Sequence, residues 1–240
     1  MTTNILQLGS VEALIVRKLV KNLHLSVLPP LGKVRVTAPE SMKDDAIRTL
    51  LATRLPWIKK QQEKFKGQDR QTKRKYVSGE SHYFFGKRYR LEVVYKDAAP
   101  VVSLKGKSKI VLQVRPNSSV EKRNDVLMQW YRKELHPIAD SLMTKWQKKI
   151  GVQAKHWGIK RMKTRWGTCN NKAARILLNL ELAKKPLACL EYVIVHELLH
   201  MIEKKHNEKF VNMLAKYIPK WRSIKEELNR SMLSHEEWNY

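Results

Sequence analysis

The five residues His196-Glu197-Leu198-Leu199-His200 place two imidazoles and a carboxylate where they could share one metal ion. On a helix, residues four apart project from the same face, so His196 and His200 can meet a single cation. Glu197, beside the first histidine, has a carboxylate able to accept a proton from a water held at that cation. This is the chemistry of metal-assisted hydrolysis. A catalytic zinc ion takes three protein ligands and keeps one position open, so a third ligand must follow. Glu203 and His206 are both candidates. Glu203 shares the helix face but would lie about 10.5 Å along the axis from His196, a poor arrangement for a tetrahedral ion. His206 can return to the metal if the helix ends near Lys204 and Lys205. Asn207 suits the N-cap of a new helix carrying Phe210, Leu214 and Tyr217, which favours the break and therefore His206.

The metal helix is well specified: Pro186 suits its first turn, and Leu190, Val193, Ile194, Met201 and Ile202 supply packing surface. Residues 175–182 (RILLNLEL) read as a strand that would offer its backbone edge to an extended substrate, by analogy with zinc peptidases. Further upstream, Leu23, Leu25 and Val27 alternate with polar residues, the Pro29-Pro30-Leu31-Gly32 turn follows, and Val34 and Val36 alternate again, which predicts a hairpin. Asp44 and Asp45 open a helix with Ile47, Leu50, Leu51 and Leu55, which Pro56 should kink or end; Trp57, Ile58 and Phe65 continue the stripe. Residues 66–75 read as a solvated connection. Tyr83, Phe84, Gly86, Tyr89, Leu91, Val93 and Tyr95 make a second hairpin, Ile110, Leu112 and Val114 a further strand, and residues 120–150 a long helix. The texture changes near Pro116. The expected fold is α+β: a β-rich N-terminal module with one helical segment (8–116), then a zincin-like catalytic domain built around the metal helix (117–240). No internal repeat is visible.

The 240 residues hold 48 Lys and Arg against 22 Asp and Glu, a net charge of +26. That surplus costs self-repulsion and favours a polyanionic neighbour, DNA or RNA among them. Residues 145–165 contain eight basic residues and no acid, with Trp146, Trp157 and Trp166 in or beside them. Basic residues interleaved with aromatics suit phosphate tracking and base stacking, which makes Lys148, Lys149, Lys155, Lys160, Arg161 and Lys163 candidates for a nucleic-acid contact. No run is long and apolar enough to cross a membrane, and the first residues do not read as a signal peptide. Cys169 and Cys189 form no CxxC pair and read as reduced thiols of a cytoplasmic protein.

Taken together, Met162-Lys163-Thr164-Arg165-Trp166-Gly167-Thr168-Cys169, Ile176-Leu177-Leu178-Asn179 and Tyr192-Val193-Ile194-Val195-His196-Glu197-Leu198-Leu199-His200, with His206 and Phe210, resemble the YgjP-like metal-dependent hydrolases. These are related to SprT-like and other zincin metallopeptidases. Lys21–Val27, Val34–Pro39 and Gly86–Leu91 fit the same family, so the resemblance spans about residues 10 to 230. It implies one zinc ion held by His196, His200 and His206, with Glu197 as general base. Thr168 stands where serine is usual and Leu199 where a small residue is common; neither touches a ligand. Arg165 and Asn179 are candidates for stabilising the oxyanion or orienting a ligand, or for tying the strand to the preceding loop. Three readings compete. The first is a zinc peptidase acting on protein or peptide, in the manner of DNA-dependent SprT-like relatives. The second is a phosphohydrolase acting on nucleotides, and the third a nucleic-acid-binding protein with a structural metal. One His-rich mononuclear site with a Glu base favours the first.

Overall fold

The computed structural model describes residues 2–28, 31–66, 74–162 and 165–230. Pro29, Pro30, Lys163, Thr164 and the 67–73 connection lie outside them, as does His235. Two compact units result: one up to residue 66, the other from residue 74. In the first, β1 (Thr2–Leu8) and β2 (Val11–Lys18) pair antiparallel, and β2 runs parallel to β4 (Lys33–Pro39). The expected hairpin is present, β3 (His24–Leu28) lying antiparallel to β4. Val11, Ala13 and Ile15 of β2 and Val34, Val36 and Ala38 of β4 alternate toward one face, where Ile47, Leu51 and Ile58 of α1 (Asp44–Lys66) cover them. The helix runs through Pro56 without ending. Pro56 and Ala52, whose carbonyl the proline leaves unpaired, are both exposed, so water can satisfy that carbonyl.

The second unit opens with β5 (Ser81–Phe84), β6 (Lys87–Tyr95), β7 (Val101–Lys105) and β8 (Lys109–Val114), followed by α2 (Val120–Ile150). Its sheet order, β5-β6-β8-β7, repeats β1-β2-β4-β3 of the first unit, with the same antiparallel, parallel and antiparallel pairings and the same helix after the fourth strand. The repeat that the residues do not show is therefore present in topology. The division between units also falls elsewhere than Pro116. Leu91, Ile110, Leu112 and Val114 share one core with Leu127, Tyr131 and Leu135 of α2 and with Leu190 and Ile194, so the texture change at Pro116 marks a strand-to-helix junction within one unit.

A three-stranded sheet follows, β9 (His156–Lys160), β10 (Gly167–Asn170) and β11 (Arg175–Asn179), in the order β10-β11-β9. The strand expected over 175–182 stops at Asn179 and becomes a 3-10 helix (Leu180–Lys184). It is also central, not an edge: β10 pairs with it antiparallel and β9 parallel. The described residues continue with α3 (Leu187–Leu199), α4 (Glu208–Tyr217) and α5 (Trp221–Arg230). No helix among the described residues is long and apolar enough to cross a membrane.

His82 on β5 is 2% exposed. Burial first, then Arg74 and Lys184, holds its imidazole down to about 3 from the usual 6.5. The Glu80 carboxylate, 3.3 Å from Nε2, pulls the other way and is outweighed. The neutral ring is therefore the folded form. Below about pH 6.5 the unfolded chain takes up a proton that the folded chain refuses until about pH 3, so stability falls with pH through that window. Urea unfolding between pH 7 and pH 5 should show the His82→Gln variant losing about one proton's share of that slope, up to ~1.4 kcal/mol per pH unit. An unchanged slope would show that His82 is protonated in the fold.

Candidate active site

Helix α3 is anchored at both ends before it presents a functional side chain. At its start, Pro186 is the N-cap, one residue earlier than the first-turn place its sequence suggested. Gly86, with φ +80° in the β5–β6 turn, lies so close that a Cβ there would come within 2.8 Å of Pro186 Cγ. Along its length, Glu191 Oε1 accepts from Lys145 Nζ and Trp146 Nε1 of α2, both at 2.8 Å. Leu190, Val193, Ile194 and Leu198 are buried in the shared core.

The helix stops at Leu199, with His200 as its C-cap, several residues before Lys204. The chain then turns. His200 Nδ1 donates to the Glu203 carbonyl at 3.0 Å, and Asn171 Nδ2 donates to the His200 carbonyl at 2.6 Å, satisfying a helix-end acceptor. Asn207 restarts the chain as N-cap of α4, its Oδ1 accepting from the Phe210 amide at 3.0 Å. The turn returns His206 to the first histidine: His196 Nε2 lies 3.2 Å from His200 Nε2 and 3.0 Å from His206 Nε2. Phe210 packs against all three imidazoles, with ring centroids 4.7–5.0 Å away, and stacks on His200. His196 Nδ1 is buried without a hydrogen-bond partner among the described residues, so packing against Phe210 and Tyr192 holds that ring.

These three nitrogens form a group that could hold a metal ion. The carbonyl partner of His200 Nδ1 can only accept, which places the proton there and leaves Nε2 a lone pair. Burial and the neighbouring imidazoles hold His196 down to about 3, so that ring is neutral, and burial followed by His200 lowers His206 as well. Hydrogen bonds could link these nitrogens only in pairs, whereas one cation can take a lone pair from each ring. Tetrahedral bonds of 2.0–2.1 Å would set ligand nitrogens about 3.3 Å apart, close to the spacing here. Among the described residues, this is the one group of three or more His, Cys, Asp or Glu side chains suited to a metal. Glu203 is outside it; its carboxylate accepts from the Lys205 amide at 3.2 Å.

Glu197 faces the same open cleft of about 630 Å³. Burial raises its carboxyl to about 7, and the Arg165 guanidinium pulls it partly back. A group titrating there can hold or release a proton near neutral pH. What positions it is Gly167 on β10. A Cβ at Gly167 would lie 2.7 Å from both Cγ and Oε1 of Glu197, closer than non-bonded atoms approach. The glycine is needed for space, since its φ is not left-handed. Sequence reasoning placed Gly167 within a motif but gave it no role, and it passed over Asn171. The signals were a glycine on a strand and an asparagine just beyond its end.

Arg165 is exposed and lines the cleft. Asn179 is fully buried and committed elsewhere: its Nδ2 donates to the Met162 and Arg165 carbonyls at 2.7 and 2.8 Å, and its Oδ1 accepts from the Met162 and Glu181 amides at 3.2 Å. It ties the loop before β10 to β11 and does not face the cleft. Cys189 is buried in the core, and Cys169 lines the cleft with its thiol donating to Asn171 Oδ1 at 3.0 Å. Burial and then Glu197 raise the Cys169 thiol to about 11. Of the basic candidates, Lys148, Lys149, Lys155 and Lys160 are exposed, Arg161 is half-buried and Lys163 lies outside the described residues. The tryptophans among them do not form a stacking surface. Trp146 is buried on Glu191, and Trp157 and Trp166 pack half-buried against the core.

A family model, YgjP-like metallopeptidase domain, matches residues 21–231. The chain belongs to this family. It is thus a metal-dependent peptidase domain, with a three-histidine cluster to hold the metal. Curated proteins contain no significant match. Among solved structures, the chain is similar to the metallopeptidase zymogen abylysin of Pyrococcus abyssi, at 19% identity and a TM-score of 0.35, over 38% of this chain and 90% of that one. Jannalysin of Methanocaldococcus jannaschii, also a metallopeptidase zymogen, is similar at 23% identity and a TM-score of 0.35, over 38% and 92%. At that TM-score neither likeness bears on the geometry of the site.

Gly167→Ala should displace the Glu197 carboxylate while leaving the histidines in place. Peptidase activity should fall by at least about tenfold with metal content by atomic absorption unchanged. Full activity would show that Glu197 reaches its working position some other way.

Proposed function

We propose that the chain is a zinc peptidase of zincin-like arrangement, in which His196, His200 and His206 hold one zinc ion and Glu197 is the general base. The convergence of the three Nε2 atoms carries this reading, because a borderline-soft cation preferring imidazole can take a lone pair from all three at once, where hydrogen bonds would link them only in pairs. When bound, the ion supplies Lewis acidity at the scissile carbonyl and acidifies the attacking water. Glu197 accepts that water's proton and passes it to the departing amine, a transfer suited to a carboxyl raised to about 7. Arg165, at the cleft wall, is placed to neutralise negative charge as the carbonyl is attacked. β10 is the edge of its sheet and lines the cleft, so an extended peptide can add to it as a further strand with its backbone held beside Glu197. The phosphohydrolase reading is less well supported: the cluster has three imidazoles where phosphoryl transfer commonly uses carboxylate-rich pairs of metals.

Nucleic acid remains a partner we propose from charge. The +26 surplus and the exposed Lys148, Lys149, Lys155 and Lys160 suit phosphate contacts in a cytoplasmic protein, without base stacking on the buried Trp146.

Two measurements test these readings. Glu197→Gln should lose hydrolysis of a casein-like substrate by at least ~100-fold and keep its metal, and His206→Ala should lose the metal. Stoichiometric zinc in the second variant would implicate Glu203, and full activity in the first would remove Glu197 as base. Binding to DNA should weaken steeply between about 50 and 200 mM salt. A flat response would overturn the phosphate-contact proposal.

A further inference from the structure

The cleft walls carry an unbalanced charge. Arg165 stands just before β10, Lys172 just after it in the turn to β11, and Lys204 in the turn between the second and third histidines; all three are exposed and line the cleft. Some other cations of the same unit are paired with acids. Lys145 pairs with Glu191 at 2.8 Å, Lys184 with Glu181 at 2.7 Å and Lys109 with Glu92 at 2.9 Å. Arg165, Lys172 and Lys204 have no ion pair among the described residues. Among the described residues the one acid lining the cleft is Glu197, which is buried beside Gly167, against three cations. Glu203 is beside Lys204 in sequence but is held by the Lys205 amide, with Lys209 and Lys205 as the cations that act on it.

The arrangement has a direction. A peptide added to the β10 edge runs along Gly167–Asn170, four residues flanked by one cation at each end, while Lys204 faces it from the turn that carries His206. A metal ion held by His196, His200 and His206 would add further positive charge. Neutral backbone on its own leaves these cations uncompensated. We infer that the cleft selects extended peptides that carry carboxylate groups on both sides of the bond to be cut. This rests on the peptidase reading of the same site and names its substrate class: acidic segments of protein. The cations act on substrate approach and retention, since exposed charges attract over a Debye length of about 10 Å at 0.1 M salt.

The test reads binding, so it does not depend on catalysis. The zinc-loaded full chain carrying Glu197→Gln is titrated against short fluorescent peptides of one length, followed by anisotropy. One has Asp and Glu on both flanks, one has Asn and Gln in their place, and one has Lys. The acidic peptide should bind about tenfold more tightly than the amide peptide at low salt, and the advantage should shrink as salt is raised. Lys172→Glu with Lys204→Glu, both at exposed positions, should cancel that preference and favour the lysine peptide. Each peptide is also tested with an amidated C-terminus, because a terminal carboxylate offers the same chemistry. Retained binding after amidation supports recognition of flanking side chains. Loss of binding would reassign the cations to a chain terminus and overturn the inference, as would equal affinity for acidic and amide peptides. Loss of casein hydrolysis by the unmutated chain would instead count against the peptidase reading and leave this binding preference readable.

Discussion

Helix α3 has to end where it does. On an unbroken helix, His206 would lie about 15 Å along the axis from His196. In the fold their Nε2 atoms are 3.0 Å apart. That difference is made by ending the helix at His200 and folding the next residues back. The stop leaves carbonyls without helical partners, and side chains near the cleft take up this cost. Asn171 satisfies the His200 carbonyl, the His200 ring donates to the Glu203 carbonyl, and Asn207 starts the next helix. The same bonds that end the helix orient the His200 ring and bring His206 back toward His196. Structural and chemical roles fall on the same few atoms.

A second constraint sets the carboxylate. Glu197 is one residue from His196 and so points off the face the histidines share; β10 meets it there, closely enough that only a glycine fits at residue 167. The register of β10 is held by Asn179, whose buried amide makes four hydrogen bonds, three of them to the loop before that strand. Each such bond is worth about 1 kcal/mol net, but leaving those buried groups unpaired would cost more. Met162 and Arg165 are therefore tied to β11, which pairs with the strand that meets Glu197. Burial of the carboxyl follows from this packing.

The metal helix, its partners and most strands were legible because their signals are local. The i, i+4 histidines, the Asn207 cap, the alternation in β3, β4, β6 and β8 and the long stripe of α2 all lie within one element. What was not legible depends on contacts distant in sequence. The boundary near Pro116 misled because composition changes between strand and helix even when both share a core. The 175–182 strand was read correctly as a strand over its first part, but its central position depends on pairing with β9 and β10. Asn179 looked like a site residue because it is polar beside the motif; its burial and its loop partners are properties of the fold. The close approach of Gly167 to Glu197 spans 30 residues and has no local signature.

The recurring strand order of the two units has a consequence for cooperativity. Each copy of the four-strand-and-helix pattern closes its own buried cluster, one around Ile15 and Leu51, the other around Leu112 and Tyr131. Only the second copy extends that cluster into α3, with an α2 of 31 residues against 23 for α1. Every side chain of the histidine cluster, the carboxylate and β10 belongs to that second cooperative unit. The same topology thus occurs once around a separate buried cluster and once in the unit whose cluster extends into the helix that carries His196 and Glu197.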